Sequence, residues 1–170
     1  LNAHYGRRLR TIGLDEIKRG WFANQEMLHI AAHGLALDNR GRTIALGAGS
    51  GDPYQATVLP IELRFERQPT VVVLNACETA GARDQAGSWS FARELASRTG
   101  AVVIAPAAPI DDRVALEFSK ALHRGLERGS VFDAYRDAVL DTRSRLHASN
   151  PWRLIVDHRG LAHGELAHLQ

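Results

Sequence analysis

Val71-Val72-Val73-Leu74-Asn75-Ala76-Cys77-Glu78-Thr79-Ala80-Gly81 is the stretch on which the reading of this chain turns. From Thr70 to Leu74 every residue is apolar or β-branched, the pattern of a strand buried on both faces. Cys77 follows at the strand's end and Gly81 opens a loop beyond it. Ends of parallel strands are where an α/β sheet places its chemistry. Cys77 is also the only cysteine in the sequence, so it is not half of an internal disulfide.

Upstream, Met27-Leu28-His29-Ile30-Ala31-Ala32-His33 predicts a second strand, stopped by Gly34. Between the two, Arg42 to Leu46 reads as a hairpin arm and Gly47 to Gly51 as a flexible turn. Pro60 to Arg67 predicts one or two helical turns with proline in the first. Residues 1–26 are the least regular, with a short helix over Asp15 to Phe22 ending near Gly20.

Downstream, Ser88 to Ser97 predicts a helix capped by Ser88 or Ser90 and ended by Gly100. Ala101 to Ala105 is the next buried strand. Asp111 or Asp112 then caps a helix whose apolar stripe is Val114, Phe118, Ala121 and Leu122, at i, i+4, i+7 and i+8. Ser130 and Asp133 form a capping-box-like start to another helix, with Val131, Ala134, Tyr135 and Ala138 inward. Asn150-Pro151 breaks it, and Trp152 to Val156 is a last strand. Residues 157–170 form an irregular tail rich in His and Gly. Strands alternating with helices predict a single α/β domain over 1–170, a mostly parallel sheet with helices on both faces.

Composition narrows the function classes. The chain has 170 residues, 45% of them hydrophobic, enough for one sizeable core. Charged residues are 24% and the net charge is +2, which argues against disorder and against direct nucleic-acid binding. Arg7-Arg8-Leu9-Arg10 is a short basic run of the kind that usually forms a solvated surface. A lone cysteine fits a reducing compartment, the cytoplasm. No apolar run approaches the roughly 18 residues of a membrane span. The absence of an initiator methionine predicts a piece of a longer protein.

Only two strands end on residues fit for covalent work: one on His33-Gly34, the other on Cys77, 44 positions later. If the strands are parallel neighbours, both side chains emerge at one edge of the sheet. An imidazole beside a thiol raises the thiolate fraction and later protonates the leaving group. Gly34 lacks a Cβ, so its backbone N–H can approach a carbonyl and serve with the Cys77 N–H as an oxyanion donor. This is a cysteine-protease arrangement. Caspases likewise place histidine about 50 residues before cysteine.

Leu28-His29-Ile30-Ala31-Ala32-His33-Gly34 and Val71 to Gly81 resemble the two signature segments of CHAT domains, caspase-like peptidases related to separase. The resemblance continues through Ala101-Val102-Val103-Ile104-Ala105-Pro106-Ala107-Ala108-Pro109-Ile110-Asp111-Asp112 to Asn150-Pro151-Trp152, covering roughly residues 15 to 160. It implies a caspase-hemoglobinase fold, a His33–Cys77 dyad and peptide-bond hydrolysis of a protein substrate. It also implies a bacterial setting, with a regulatory domain or partner such as helical repeats. The chain departs from the family at Ala107-Ala108, where a Leu-Trp pair is usual. That loop lines the wall for the substrate's P1 side chain in related enzymes, so specificity does not carry over. The early strands that usually precede the His segment are also hard to find in residues 1–26.

Other residues carry weaker signals. His29 and His33 are four apart, a metal-binding spacing on a helix; in a strand with no third ligand, His29 reads as structural and no metal is expected. Glu78 reads as a loop hydrogen-bonder, since a carboxylate beside a thiol disfavours the thiolate. Asn75 shares the face of Cys77 by strand alternation and either contacts the P1 group or bonds a neighbouring loop. Asp111 and Asp112 read as helix caps, or one of them as the acidic floor of a pocket for Arg or Lys. The leading expectation is a regulated cysteine endopeptidase needing no cofactor. The alternatives are a catalytically silent docking or sensor module and a His-based metallohydrolase.

Overall fold

The computed structural model describes residues 27–36, 44–47, 57–65, 67–77, 79, 90–146 and 150–156. The expected helix at Asp15–Phe22, the basic run at Arg7–Arg10, Glu78, Gly81, Ser88 and the 157–170 tail lie outside these residues.

The buried apolar runs assemble into a four-stranded sheet in the order Met27–Ala31, Val71–Asn75, Val102–Pro106, Trp152–Ile155. Here β1 is Met27–Ala31, β5 is Val71–Asn75, β6 is Val102–Pro106 and β7 is Trp152–Ile155. β5 runs parallel to both β1 and β6, and β7 closes the sheet antiparallel to β6. The expected mostly parallel α/β architecture is present, in agreement with the caspase-like fold that the resemblance implies. A second, antiparallel sheet joins β2 (His33–Ala36), β3 (Ile44–Gly47) and β4 (Thr57–Val58) in that order.

Alternation along the central strands divides the core in two. Val72, Leu74, Val103 and Ala105 join Leu28 and Ile30 in a cluster with Phe91, Leu95 and Ala96 of helix α1, Phe91–Thr99. Val71, Val73, Val102 and Ile104 join the other cluster, with α2 (Asp112–Leu126), α3 (Val131–Leu146) and Trp152. Both faces are therefore covered, which is why β5 and β6 carry no polar alternation. Each fully buried Val, Leu or Ile contributes roughly 1.5–3 kcal/mol.

Local chemistry sets the helix boundaries. The Ser90 hydroxyl accepts from the Arg93 N–H at 3.2 Å to start α1. Gly100 ends it in the left-handed region at φ 69°, which only glycine adopts cheaply. Asp111 caps α2 through the Arg113 and Val114 N–H groups, at 2.9 and 3.4 Å. At the start of α3 the Ser130 hydroxyl accepts from the Asp133 N–H at 3.2 Å and lies 2.8 Å from the Asp133 carboxylate, to which it donates. Phe118 of α2 stacks on Trp152 with ring centres 4.0 Å apart, and the Tyr135 hydroxyl donates to the Trp152 carbonyl at 2.9 Å. These contacts tie both helices to the edge strand.

Three expectations need correction. The strand over Met27 to His33 is two strands: pairing with β5 stops at Ala31, where β5 itself ends opposite at Asn75. The chain then leaves the main sheet, and Gly34, expected to stop the strand, lies inside β2 opposite Leu46. The helical segment after Pro60 is a single 3-10 turn, Pro60–Glu62, held by the Glu62 carboxylate accepting from the Leu59 N–H at 2.7 Å. In α2 Phe118, Ala121 and Leu122 are buried as expected, but Val114 is half-buried and the inward face widens to take in Ala115, Ser119 and His123.

Candidate active site

The last register pair between β1 and β5 is Ala31 opposite Asn75, and the Ala32 N–H still donates to the Asn75 carbonyl at 3.1 Å. Two residues beyond that pair, on the two adjoining chains, stand His33 and Cys77. The chains stay in contact there. A Cβ on Gly34 would fall on the Cys77 carbonyl oxygen, 2.9 Å from its carbonyl carbon and 3.1 Å from its nitrogen. Only glycine permits that approach. Its role is close backbone contact, since φ at Gly34 is not in the positive region.

His33 is exposed and Cys77 is half-buried, so neither group is sealed in the core. The Cys77 thiol lies 4.0 Å from the Ile110 carbonyl oxygen, the long limit for a sulfur contact. Ile110 closes the loop from β6 to α2, so that loop borders the thiol. Ala107, half-buried, and Ala108, exposed, lie on the same loop, and the Ala107 N–H donates to the Pro151 carbonyl at 2.8 Å.

The other expected site residues have defined places. Asn75 turns toward α2, and its Nδ2 donates to the Ser119 hydroxyl at 2.6 Å. Ser119 spends its own proton on the Ala115 carbonyl at 2.7 Å, which fixes the amide orientation. Among the described residues the buried Asn75 Oδ1 has no hydrogen-bond partner. Asp111 is occupied as the cap of α2, and Asp112 is the first residue of that helix; both are exposed.

His29 lies four residues before His33 but in different surroundings. Its Nδ1 is 2.7 Å from Nε2 of His123 on α2, and the rings stack 5.0 Å apart. Burial pushes the His29 imidazole down to about 4, so the ring is neutral around pH 7. Its Nε2 is buried and has no hydrogen-bond partner among the described residues. The described residues contain no group of three or more His, Cys, Asp or Glu that would hold a metal ion. No helix among them is long and apolar enough to cross a membrane.

Ser119 and His123 are the residues that sequence reasoning missed. Both interrupt the apolar stripe of α2 and are four apart, so they share one face. Two polar residues inside an apolar stripe are a signal that polar partners wait on the sheet opposite.

No curated protein matches the chain. Residues 15–155, most of its length, match the CHAT domain. The signature segments around His33 and Cys77 both fall within that range. The chain belongs to the CHAT domain family, a family of caspase-like peptidases.

Proposed function

We propose that this domain is a cysteine endopeptidase whose nucleophile is Cys77 and whose acid–base group is His33. The reading rests on one observation above all: two parallel neighbouring strands end in register, and Gly34 brings the His33 segment against the Cys77 backbone. In the proposed reaction the Cys77 thiolate attacks the scissile carbonyl carbon. The Gly34 and Cys77 N–H groups hold the oxyanion. His33, carrying the proton, gives it to the departing amine as the tetrahedral intermediate collapses to a thioester. Water then attacks the thioester as His33 takes one of its protons, the intermediate expels the Cys77 thiolate, and the product acid gives its remaining proton to solvent as it leaves as a carboxylate. Every step uses groups of this chain and water.

Around this dyad, Asn75 at the end of β5 and Asp111 and Asp112 at the start of α2 are the candidates for contact with substrate. Of the three, Asp112 is the acidic group left to meet a basic substrate side chain, because Asp111 is committed to its helix. The substrate is a protein and activity is regulated by a further domain or partner, such as helical repeats. A single thiol suits the bacterial cytoplasm.

The reading is tested by incubating the protein with a peptide library and identifying new termini by mass spectrometry. Cleavage that disappears in both Cys77→Ala and His33→Ala supports it. Cleavage that persists in Cys77→Ala refutes it. No cleavage by any form favours the docking-module alternative.

A further inference from the structure

Cys77 is held two residues to either side, by opposite layers of the fold. Before it, the Asn75 carbonyl accepts from the Ala32 N–H at 3.1 Å and the Asn75 amide donates to Ser119 of α2 at 2.6 Å. After it, Thr79 is fully buried, at 0% exposure, and its hydroxyl and carbonyl are both engaged. The hydroxyl donates to the Ala76 carbonyl at 2.8 Å. The carbonyl accepts from the N–H of Ala92, the second residue of α1, at 3.0 Å. Ala76 and Ala92 both belong to the core cluster on the α1 face, so the turn is anchored in packed interior. Cys77 itself is only half-buried. It is thus an accessible residue of a short turn, Ala76–Thr79, whose two ends are buried.

We propose that Thr79 is a positioning residue for the Cys77 nucleophile, acting through its hydroxyl bond to Ala76; the inference rests on the peptidase reading above. The bond runs from the fourth residue of the turn back to the carbonyl of the first, and so closes a ring across Cys77. Without it, the torsions on either side of Cys77 are free to swing both its N–H and its sulfur. Each of these groups has a task in the proposed reaction, the N–H as oxyanion donor and the sulfur as nucleophile. Misplacing a reacting group by about 1 Å is enough to slow a reaction about a hundredfold. Threonine suits the post. Its branched Cβ restricts χ1 and holds the hydroxyl in one direction, and its methyl group suits a site closed to water. The Thr79 carbonyl carries the tether on to α1, whose first turn is itself fixed by the Ser90 cap. The nucleophile therefore hangs between two helices, with Asn75 bonded to α2 and Thr79 to α1. A buried threonine with a purely structural task would set the stability of the fold but not the direction in which Cys77 points.

The test compares two variants. Thr79→Val keeps the shape and removes the hydroxyl; Thr79→Ser keeps the hydroxyl and removes the methyl group. Each protein is treated at about pH 7.5 with a peptidyl acyloxymethyl ketone, whose carbonyl must be oriented before the thiol attacks. In parallel it is treated at about pH 9.5 with iodoacetamide, which needs only an ionised, accessible thiol. Both Cys77 rates are read by mass spectrometry, beside the urea unfolding midpoint. The ketone rate is expected to fall about tenfold or more in Thr79→Val, the rate equivalent of one lost hydrogen bond. Its iodoacetamide rate is expected to stay within about twofold of wild type, and Thr79→Ser to keep both rates. The proposal is overturned if Thr79→Val meets the ketone at the wild-type rate, if Thr79→Ser loses as much, or if both reagents slow together. It is equally overturned if Thr79→Val no longer unfolds cooperatively, which would make the hydroxyl a prop of the whole fold. Wild type that takes iodoacetamide but ignores the ketone would sink the peptidase reading and this inference with it. Wild type that reacts with the ketone, matched by Thr79→Val, sinks this inference alone.

Discussion

Gly34 shows how much one missing methyl group decides. Its backbone rests on that of Cys77, and any Cβ must displace a backbone carbonyl that has no flexible side chain to give way. Gly34→Ala is expected to cost about 1–3 kcal/mol of stability by overpacking and to abolish peptide cleavage by parting His33 from Cys77. Urea unfolding beside a cleavage assay checks both; an unchanged midpoint would mean the close approach is not needed. His29 makes a second residue-scale statement. Its folded-state value of about 4 lies below the ordinary 6.5, so the unfolded chain takes up a proton that the folded one refuses. Stability is therefore full above about pH 6.5, falls as pH drops, and levels off below about 4. The expected loss across that window is on the order of 3 kcal/mol, and His29→Gln should flatten that part of the pH–stability curve. An unaltered curve in the variant would place the titration elsewhere.

At the scale of elements, the packing of α2 against α3 sets two effects against each other at Gly125. Alanine is favoured over glycine inside a helix by about 1 kcal/mol. Yet a Cβ here would lie 2.8 Å from both Cα and Cβ of Ala134, so one helix must move. Overpacking of about 1–3 kcal/mol outweighs the propensity gain, and Gly125→Ala is expected to lower the unfolding midpoint; a raised midpoint would contradict the close crossing. The helices themselves were legible in the sequence because their signals are local. Ser90, Gly100, Asp111 and Ser130 each act within a few residues of the boundary they set. What joins them across the sheet was not legible. The His29–His123 contact spans 94 positions and Asn75–Ser119 spans 44, and no periodicity encodes which strand a helix will lie on. The break after Ala31 was hidden for a related reason. The run Met27 to His33 carries no glycine, proline or turn residue to mark a break, and its division follows from where the partner strand stops.

For the molecule as a whole, the runs of β5 and β6 announced a doubly covered sheet, and the two core clusters occupy its two faces. The direction of β7 was not announced, since a short apolar strand reads the same either way; it is fixed by Trp152 packing under Phe118 and Tyr135. The candidate dyad was legible in part. The residue types and strand ends pointed to His33 and Cys77, while the parallel pairing of β1 with β5 that makes their chains neighbours is a property of the folded sheet. The proposed function depends on a Cys77 thiol whose reactivity comes from the His33 imidazole. The most direct test treats the protein with a peptidyl acyloxymethyl ketone and locates the adduct by peptide mapping. The account predicts stoichiometric modification of Cys77, lost in His33→Ala while that variant still unfolds at the wild-type midpoint. Equal modification of Cys77 in the folded His33→Ala protein would contradict it.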